Sequence, residues 1–506
     1  MIVAAAAMTG IGLWGLARDS AMGNDEVVSR WAALLSLRQL AHLVRHVDAV
    51  HGLYYLLLHG WMAVGTSPAA MRVPSVISMA GAVALVAILA RRLTGSGWVA
   101  LFAGLITALT PSISTYAQTA RSYAFVFVCV VAQTLVLLRA LRAEAAGAPR
   151  GQLRRRWLAY GALMVLAGYL NEMSLLVLAA HLVTILLARQ GRQTVKHWAV
   201  TSAISVVLVA PLLAISIRQD RALVWISRPG LRDVWILYHD YFGATIWAPV
   251  LVAACAVVAL LPERGRGSGG GAGTGARAVA EAAWWRSGGV SVASVAAPLL
   301  FVPAAVLLVE SLIGAPLYVD RYVLYGEAGA ALLAGAGICK IGQWLAGRFS
   351  WRAFVWIPGV VVCVLALVLQ LGAQQQTRQP GSRQYNFGGP AFFIGAHARP
   401  GDGVLFFDDF YRKGELGYPS QFHDVSDLAL AVSPAVANPF KGIDKPFTAI
   451  APLMLSTNRI WVIGRRPTAQ ITGRQMREER TLLLRDFAET FVHGYRGMWL
   501  TLWVRH

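Results

Sequence analysis

Charge and cysteine are what this 506-residue chain has least of. Only 14% of its residues are charged against 57% hydrophobic, and its four cysteines, Cys129, Cys255, Cys339 and Cys363, lie singly within or at the end of apolar stretches. None forms a Cys-x-x-Cys pair and none follows residue 372, which leaves neither a disulfide framework nor a thiolate metal site. The glycine-rich run Gly265 to Gly275 (GRGSGGGAGTG) lacks the following Lys-Ser/Thr and the strand-to-helix setting of a phosphate-binding loop, so it reads as a flexible linker. Acidic residues are scarcer than basic ones, 25 against 45, for a net charge of +20. A basic balance of that size suits nucleic acid only on a soluble face, and here the basic residues stand in short loops between apolar runs, which excludes that partner.

What the chain has in abundance is apolar runs long enough to cross a bilayer, a distance that takes about 20 residues of helix. They fall at 2–17, 73–90, 98–115, 122–138, 157–170, 173–188, 198–217, 246–262, 288–310, 322–339 and 353–372, which makes eleven. The first lacks the basic start of a signal peptide and is expected to be an anchor. Counting Lys and Arg on alternating sides puts eighteen in one set of loops and eleven in the other, longer set, which also holds most of the Asp, Glu and His. The richer set is expected in the cytoplasm, with the N-terminus inside and the C-terminal end outside.

From Gln374 the pattern changes. Val404 to Phe407, Arg459 to Ile463 and Trp499 to Val504 read as strands, and Met476 to Val492 as a helix with Leu482, Leu483, Leu484, Phe487 and Phe491 as its apolar positions. The expected fold is therefore an α-helical polytopic membrane protein of about eleven transmembrane helices over residues 1–372, including a first external loop at 18–72, with a small extracytoplasmic α/β domain over 373–506.

The polar residues that could carry chemistry gather in the outer loops. Asp25-Glu26 follows the turn pair Gly23-Asn24 and precedes a helical pattern; a carboxylate there is stabilised by the helix dipole, and an aspartate there is equally a simple helix cap. His51 and Tyr55 are four residues apart and share a helix face, after Asp48 and beside Tyr54. His42 and His46 also share a face, but two histidines without a third ligand read as interfacial residues. Arg72-Val-Pro-Ser75 opens the second span, and Tyr116-Ala-Gln118-Thr-Ala-Arg121-Ser-Tyr123 lies at the outer end of the third. An arginine at such depth either snorkels or meets an anion, and guanidinium suits phosphate. Asn171-Glu172 and Asp320-Arg321-Tyr322 complete the set; Glu172 and Glu310 are also placed to be hydrogen-bonded inside the bundle without a chemical task.

Taken in order, the acidic pair Asp25-Glu26, the segment His51-Gly-Leu-Tyr54-Tyr55, Arg72-Val-Pro-Ser, Tyr116-x-Gln118-x-x-Arg121-x-Tyr123 and the late Arg321-Tyr322 resemble the GT-C fold glycosyltransferases over about residues 1 to 340. More narrowly they resemble the bacterial family-39-like mannosyltransferases, relatives of the protein O-mannosyltransferases and the aminoarabinose transferase. Two positions depart from the pattern: Gly52 stands where those proteins usually carry proline, and Asn24 precedes Asp25 where they carry an aromatic or apolar residue.

The resemblance implies inverting transfer of a sugar from a polyprenyl-phosphate donor to an acceptor at the outer face of the plasma membrane. It implies Asp25 as general base and Glu26 as an aid in acceptor positioning or metal binding. Asp48, His51, Tyr54 and Tyr55 would shape the pocket, and Arg121 and Arg321 would hold the donor phosphate. Arg72, Gln118, Tyr123, Glu172 and Tyr322 would complete the substrate contacts. One base and fixed positive charge are what attack by a hydroxyl and departure of a phosphate require. Mannose is the first expectation for the donor sugar and arabinofuranose the second; the Ala-, Gly- and Arg-rich composition suits an actinobacterial source of either. The acceptor is expected to be a glycan, a glycolipid or a protein. Asp25, Glu26, Asp48 and His51 offer ligands for Mg2+ or Mn2+ only if the loop folds them together. A transporter or flippase of lipid-linked saccharides needs a similar phosphate groove, but paired, broken repeats in two halves are not evident. A non-catalytic membrane scaffold is the remaining reading.

Overall fold

The computed structural model describes residues 1–17, 21–219, 225–261, 289–379, 382–437, 440–465 and 473–506. The expected linker at 265–275 lies outside them. The chain forms two compact units, one of Met1–Trp14 with Val73–Gln375 and one of Gly15–Arg72 with Gln376–His506. The described residues 21–72, assigned above to the membrane module, thus group with the C-terminal segment, to which Met22, Asn24 and Arg30 are hydrogen-bonded.

The first unit is helical. Each of the eleven expected spans falls on helix over its described residues. Among the described residues six helices are long and apolar enough to cross a membrane, and up to eight if each of two bent pairs is one span. Three of the eleven stop short: Ile2–Leu13 has only 12 residues, Arg150–Leu170 carries Arg154, Arg155 and Arg156 in its first turns, and Glu172–Leu187 is brief and begins as a 3-10 turn. At about 1.5 Å per residue, 12 residues reach only about 18 Å.

The bent pairs have local causes. Gly97–Leu109 and Pro111–Ala117 meet at 68°, where Pro111 cannot continue the hydrogen-bond ladder. The Gln374 side chain donates to the orphaned carbonyl of Leu109 (3.0 Å) and accepts from Ser114 Oγ (2.6 Å). Leu231–Phe242 and Trp247–Leu260 meet at 76° through Gly243, whose φ of +132° suits glycine. There Gln370, one turn before Gln374, accepts from the backbone N–H of Ala244 at 3.4 Å. Two glutamines of one helix, Ile357–Gln376, thus satisfy both breaks, as non-helical backbone at membrane depth requires.

Of the six long candidate spans, the one that includes Glu327–Phe349 is the most enclosed. It is rich in Ala and Gly because its neighbours leave no room for more: a Cβ on Gly337 would lie 1.7 Å from the carbonyl oxygen of Cys255, and one on Gly329 2.4 Å from that of Ala296.

The second unit holds a five-stranded sheet. Its strands are β1 (Asp402–Phe406), β2 (Val425–Asp427), β5 (Arg459–Gly464), β6 (Phe487–Tyr495) and β7 (Met498–Arg505), in the order β2-β1-β5-β7-β6. β1 runs parallel to both neighbours, while β5-β7 and β7-β6 are antiparallel. A small hairpin pairs β3 (Leu430–Val432) with β4 (Ile443–Asp444). Leu405, Ile460 and Val462 of the central strands pack under Ile450, Met454 and Leu483 of two helices, Phe447–Ser456 and Arg474–Asp486.

The expected helix at Met476–Val492 is corrected in its second half. The helix ends at Asp486, and Phe487–Tyr495 is an edge strand turned back on β7 through Arg496-Gly497, with Gly497 at φ +79°. Phe487 and Phe491 fit a helical spacing by coincidence; the aromatic and β-branched content of the segment and the following glycine turn prevail.

Buried charge in this unit centres on Arg412, which donates to Asp427 Oδ2, Asp444 Oδ1 and the Lys441 carbonyl, each at 2.6 Å. Burial pushes the carboxyls of Glu479 and Glu415 up to about 7, with Asp427 adding to the push and Arg412 opposing it. Both stand above the ordinary 4.5, so between about 4.5 and 7 the folded chain holds protons that the unfolded chain has released. Stability therefore falls as pH rises through that window. Thermal melts of the full chain in detergent should show a higher midpoint at pH 5 than at pH 8. Glu479→Gln should flatten that difference and raise the pH 8 midpoint by roughly 2–4 °C.

Candidate active site

The acidic pair opens the helix Asn24–Leu34. Glu26, the third residue, folds back to accept from the backbone N–H of Gly23 (3.3 Å), satisfying one of the helix's unpaired donors. Its carboxylate is 2% exposed and is held by Arg72, equally buried, which donates Nε to Oε1 and Nη2 to Oε2, both at 2.8 Å. Arg72 Nη2 also donates to the Ala21 carbonyl (2.9 Å), and Arg383 Nε lies 3.7 Å from Glu26 Oε2. Such two-pronged geometry is what makes a buried pair stable.

Asp25, one residue earlier, is half-buried and keeps contact with solvent. Its Oδ1 accepts from the Asn24 side-chain amide at 3.3 Å, and its own carbonyl accepts from Ser29 Oγ. The two adjacent carboxylates thus differ in burial: Glu26 is enclosed in a double guanidinium contact, and Asp25 is half-buried at a helix start where the dipole favours its negative charge.

A second cluster in the same unit follows the helix Leu37–His46. Asp48 takes a left-handed φ of +58°, which turns its carboxylate toward the next helix, Gly52–Trp61. It accepts from His51 Nδ1 at 2.9 Å and from the Tyr55 hydroxyl. The His51 ring stacks on Tyr55 with centroids 6.0 Å apart, and Tyr54 is buried beside it. The Asp48 contact places the imidazole proton on Nδ1. Gly52 sits at ordinary helical dihedrals, so its departure from proline removes no functional group. His42 and His46 are neighbours on their helix, with rings 4.5 Å apart. Among the described residues no three His, Cys, Asp or Glu side chains come together as a metal would need.

In the first unit Arg121 and Arg321 lie in short irregular segments next to helix ends. Arg321 opens the 3-10 segment Asp320–Gly326 and donates Nε to the Tyr123 hydroxyl at 2.8 Å. Its guanidinium lies 5.9, 5.6 and 5.8 Å from the ring centroids of Tyr123, Trp225 and Tyr322, an aromatic surround that orients a planar cation. Arg121 is buried two residues before Tyr123, in the turn after Pro111–Ala117, and Tyr116 meets Tyr123 edge to face at 5.2 Å.

The remaining expected site residues are placed elsewhere. Gln118 donates its amide to the carbonyls of Gly12 (2.8 Å) and Trp14 (2.9 Å), closing the end of Ile2–Leu13. Glu172 accepts from Ser216 Oγ at 2.8 Å, the in-bundle role considered for it in the sequence. Arg383, Lys413 and Tyr418 escaped the sequence reading, since they lie in the tail where no motif is recognisable. Yet Lys413 donates to Asn24 Oδ1 (2.7 Å), and Tyr418 accepts from the backbone N–H of Met22 (2.7 Å).

Comparison with known proteins places the fold. Residues 52–215 match the dolichyl-phosphate-mannose-protein mannosyltransferase family. No curated protein sequence matches the chain. Among solved structures the chain resembles ArnT from Cupriavidus metallidurans in the apo state, with a TM-score of 0.58 at 13% identity, covering 99% of this chain and 97% of that one. The same protein bound to undecaprenyl phosphate gives 0.57 at 12%, with the same coverage. The archaeal oligosaccharyltransferase AglB from Archaeoglobus fulgidus, in complex with an inhibitory peptide and a dolichol-phosphate, gives 0.51 at 10%, covering 99% of this chain and 73% of that one. The chain therefore has the polytopic helical fold of the ArnT and AglB structures, and its residues 52–215 match the model of the dolichyl-phosphate-mannose-protein mannosyltransferase family.

Proposed function

We propose that the chain transfers a sugar, mannose in the first instance, from a polyprenyl-phosphate carrier to an acceptor hydroxyl at the outer face of the plasma membrane, with inversion. The acceptor oxygen forms a bond to the anomeric carbon as the bond from that carbon to the phosphate oxygen breaks. The hydroxyl proton goes to Asp25, and polyprenyl phosphate leaves with the bonding pair. The observation that carries this reading is the division of labour in the acidic pair: Glu26 is buried in an ion pair with Arg72, whereas Asp25 keeps access to solvent at the helix start.

Arg321 and Arg121 are assigned to the departing phosphate. A guanidinium held by a tyrosine hydroxyl and ringed by aromatics is pre-oriented for an anion, which is how fixed charge lowers the barrier to a leaving phosphate. Asp48 is assigned to holding His51 and Tyr55 in place rather than to the chemistry, since its carboxylate is occupied by both. The lysine and arginine count of the loops supports a cytoplasmic N-terminus and an extracytoplasmic second unit. ArnT has been seen with undecaprenyl phosphate and AglB with a dolichol-phosphate, the class of carrier that this reading has as its leaving group.

The test is transfer from radiolabelled polyprenyl-phosphate-mannose in membranes carrying the full chain. Asp25→Asn should keep its melting temperature and lose transfer by about 100-fold or more. A folded Asp25→Asn variant with wild-type transfer would refute the assignment, and wild-type activity only with polyprenyl-phosphate-arabinofuranose would change the donor. Arg321→Gln should lower kcat/KM for the donor by roughly 10- to 100-fold, the worth of one hydrogen bond to a charged group, while leaving the melt unchanged.

A further inference from the structure

Two helices of the second unit have outward faces of unlike chemistry. The first, Leu37–His46, is started by a reciprocal cap: Ser36 Oγ accepts from the Gln39 N–H at 3.3 Å, and the Gln39 side chain accepts from the Ser36 N–H at 3.0 Å. Leu40 and Leu43 pack inward. Helical spacing then turns Arg38, His42 and Arg45, at i, i+4 and i+7, to the opposite side with His46 beside them, and all four are exposed. The chain has no acidic residue between Glu26 and Asp48, and among the described residues no carboxylate pairs with Arg38 or Arg45. The helix dipole favours Arg45 and His46 in the last turn, but it opposes a cation in the first. The counter-charge for Arg38 therefore comes from outside the helix.

The second helix, Gly52–Trp61, packs Tyr54, Tyr55 and Leu58 inward and leaves Leu56 and Leu57 49% and 45% exposed, with Val64 just beyond it at 73%. Trp61, in its last turn, donates Nε1 to the Ala70 carbonyl at 2.8 Å. Ala70 lies in the first turn of Pro68–Thr94, a helix long and apolar enough to cross a membrane. The apolar face is thus tied to the level at which the chain enters the bilayer, where tryptophan is enriched. The two helices touch, and His59 Nδ1 donates to the Ala33 carbonyl at 2.8 Å, which joins them to the helix of the acidic pair.

We propose that these two helices are a docking surface for the bilayer itself, with Leu56, Leu57 and Val64 among the acyl chains and Arg38, His42 and Arg45 on the phosphates of anionic phospholipids. A basic face beside an apolar one is the pattern of a helix lying in an anionic interface. A second copy docked symmetrically on the basic helix would set like charge against like. Through the His59 contact and the bond from Arg30 Nε to the Thr66 carbonyl (3.2 Å), lipid held there steadies the helix that carries Asp25 and Glu26. The inference goes beyond sugar transfer and depends neither on the donor nor on which side of the membrane the unit occupies.

The test uses the full chain in nanodiscs, with a fluorophore on Gly60→Cys or on Ala41→Cys and quenching by brominated lipids. A Cβ at Gly60 meets nothing within 4 Å, Ala41 is exposed, and the four native cysteines are buried, so each label is specific and leaves the packing intact. Brominated phosphatidylcholine should quench the Gly60 label. At Ala41, brominated phosphatidylglycerol should be preferred over phosphatidylcholine by about fivefold for each arginine, and high salt should weaken that preference. Arg38→Gln should remove one such factor, and Arg38→Gln with Arg45→Gln both, with unchanged melts. Absence of quenching at Gly60 by either lipid would show that something other than the bilayer covers the face, and would overturn the inference. Equal quenching of the Ala41 label by both lipids, or a phosphatidylglycerol preference that survives in the double variant, would overturn it as well.

Discussion

The constraint on which the second unit depends is that Glu26 is a carboxylate with almost no access to water. Removing one partner of such a buried pair typically costs about 3–5 kcal/mol, because the other charge is left unpaired. Arg72 answers it with two parallel hydrogen bonds, Arg383 adds a second positive charge, and the Gly23 N–H closes the ring. The loop from Met22 to Arg30 is thereby fixed to residues far away in sequence. In the proposed reading Asp25 inherits a defined direction from its neighbour, as a general base must if it is to meet a proton at hydrogen-bond distance.

The same economy of means appears in the first unit. Pro111 and Gly243 break two apolar helices, and Gln374 and Gln370, one turn apart, take up the backbone groups those breaks release. Interrupted backbone costs several kcal/mol in hydrocarbon if left unpaired. Arg121 stands just after the first of these bent pairs, and Arg321 in the 3-10 segment that opens another span. Irregular backbone and costly charge gather together because each is tolerable only where polar partners are already present.

Much of this was legible before any coordinates, and the limits follow a physical line. Every apolar run became helix, since twenty apolar residues admit few other structures in lipid. The count of spans was less secure: Ile2–Leu13 and Arg150–Leu170 are helices whose length or arginines fall short of a crossing. Asp25-Glu26, Asp48 with His51 and Tyr55, and Arg321 with Tyr123 and Tyr322 could be singled out because local spacing or motif order marked them. Which of two adjacent carboxylates is buried could not, because Glu26 is decided by Arg72 and Arg383, 46 and 357 positions away in this sequence. Lys413 was invisible for the same reason. The strand at Phe487–Tyr495 was misread as helix because Phe487 and Phe491 stand four apart, and only pairing with β7 reveals the period of two.

The central claim is that Glu26 supports the loop and Asp25 performs the chemistry. The most direct measurement is sugar transfer and thermal melting of the double variant Glu26→Met with Arg72→Met, beside each single change. A buried ion pair replaced as a whole by apolar residues of similar volume is often tolerated where either single change is not. The account predicts that the double variant melts above both singles and retains transfer. A well-folded double variant as inactive as Asp25→Asn would contradict it, and would make Glu26 a participant in the reaction.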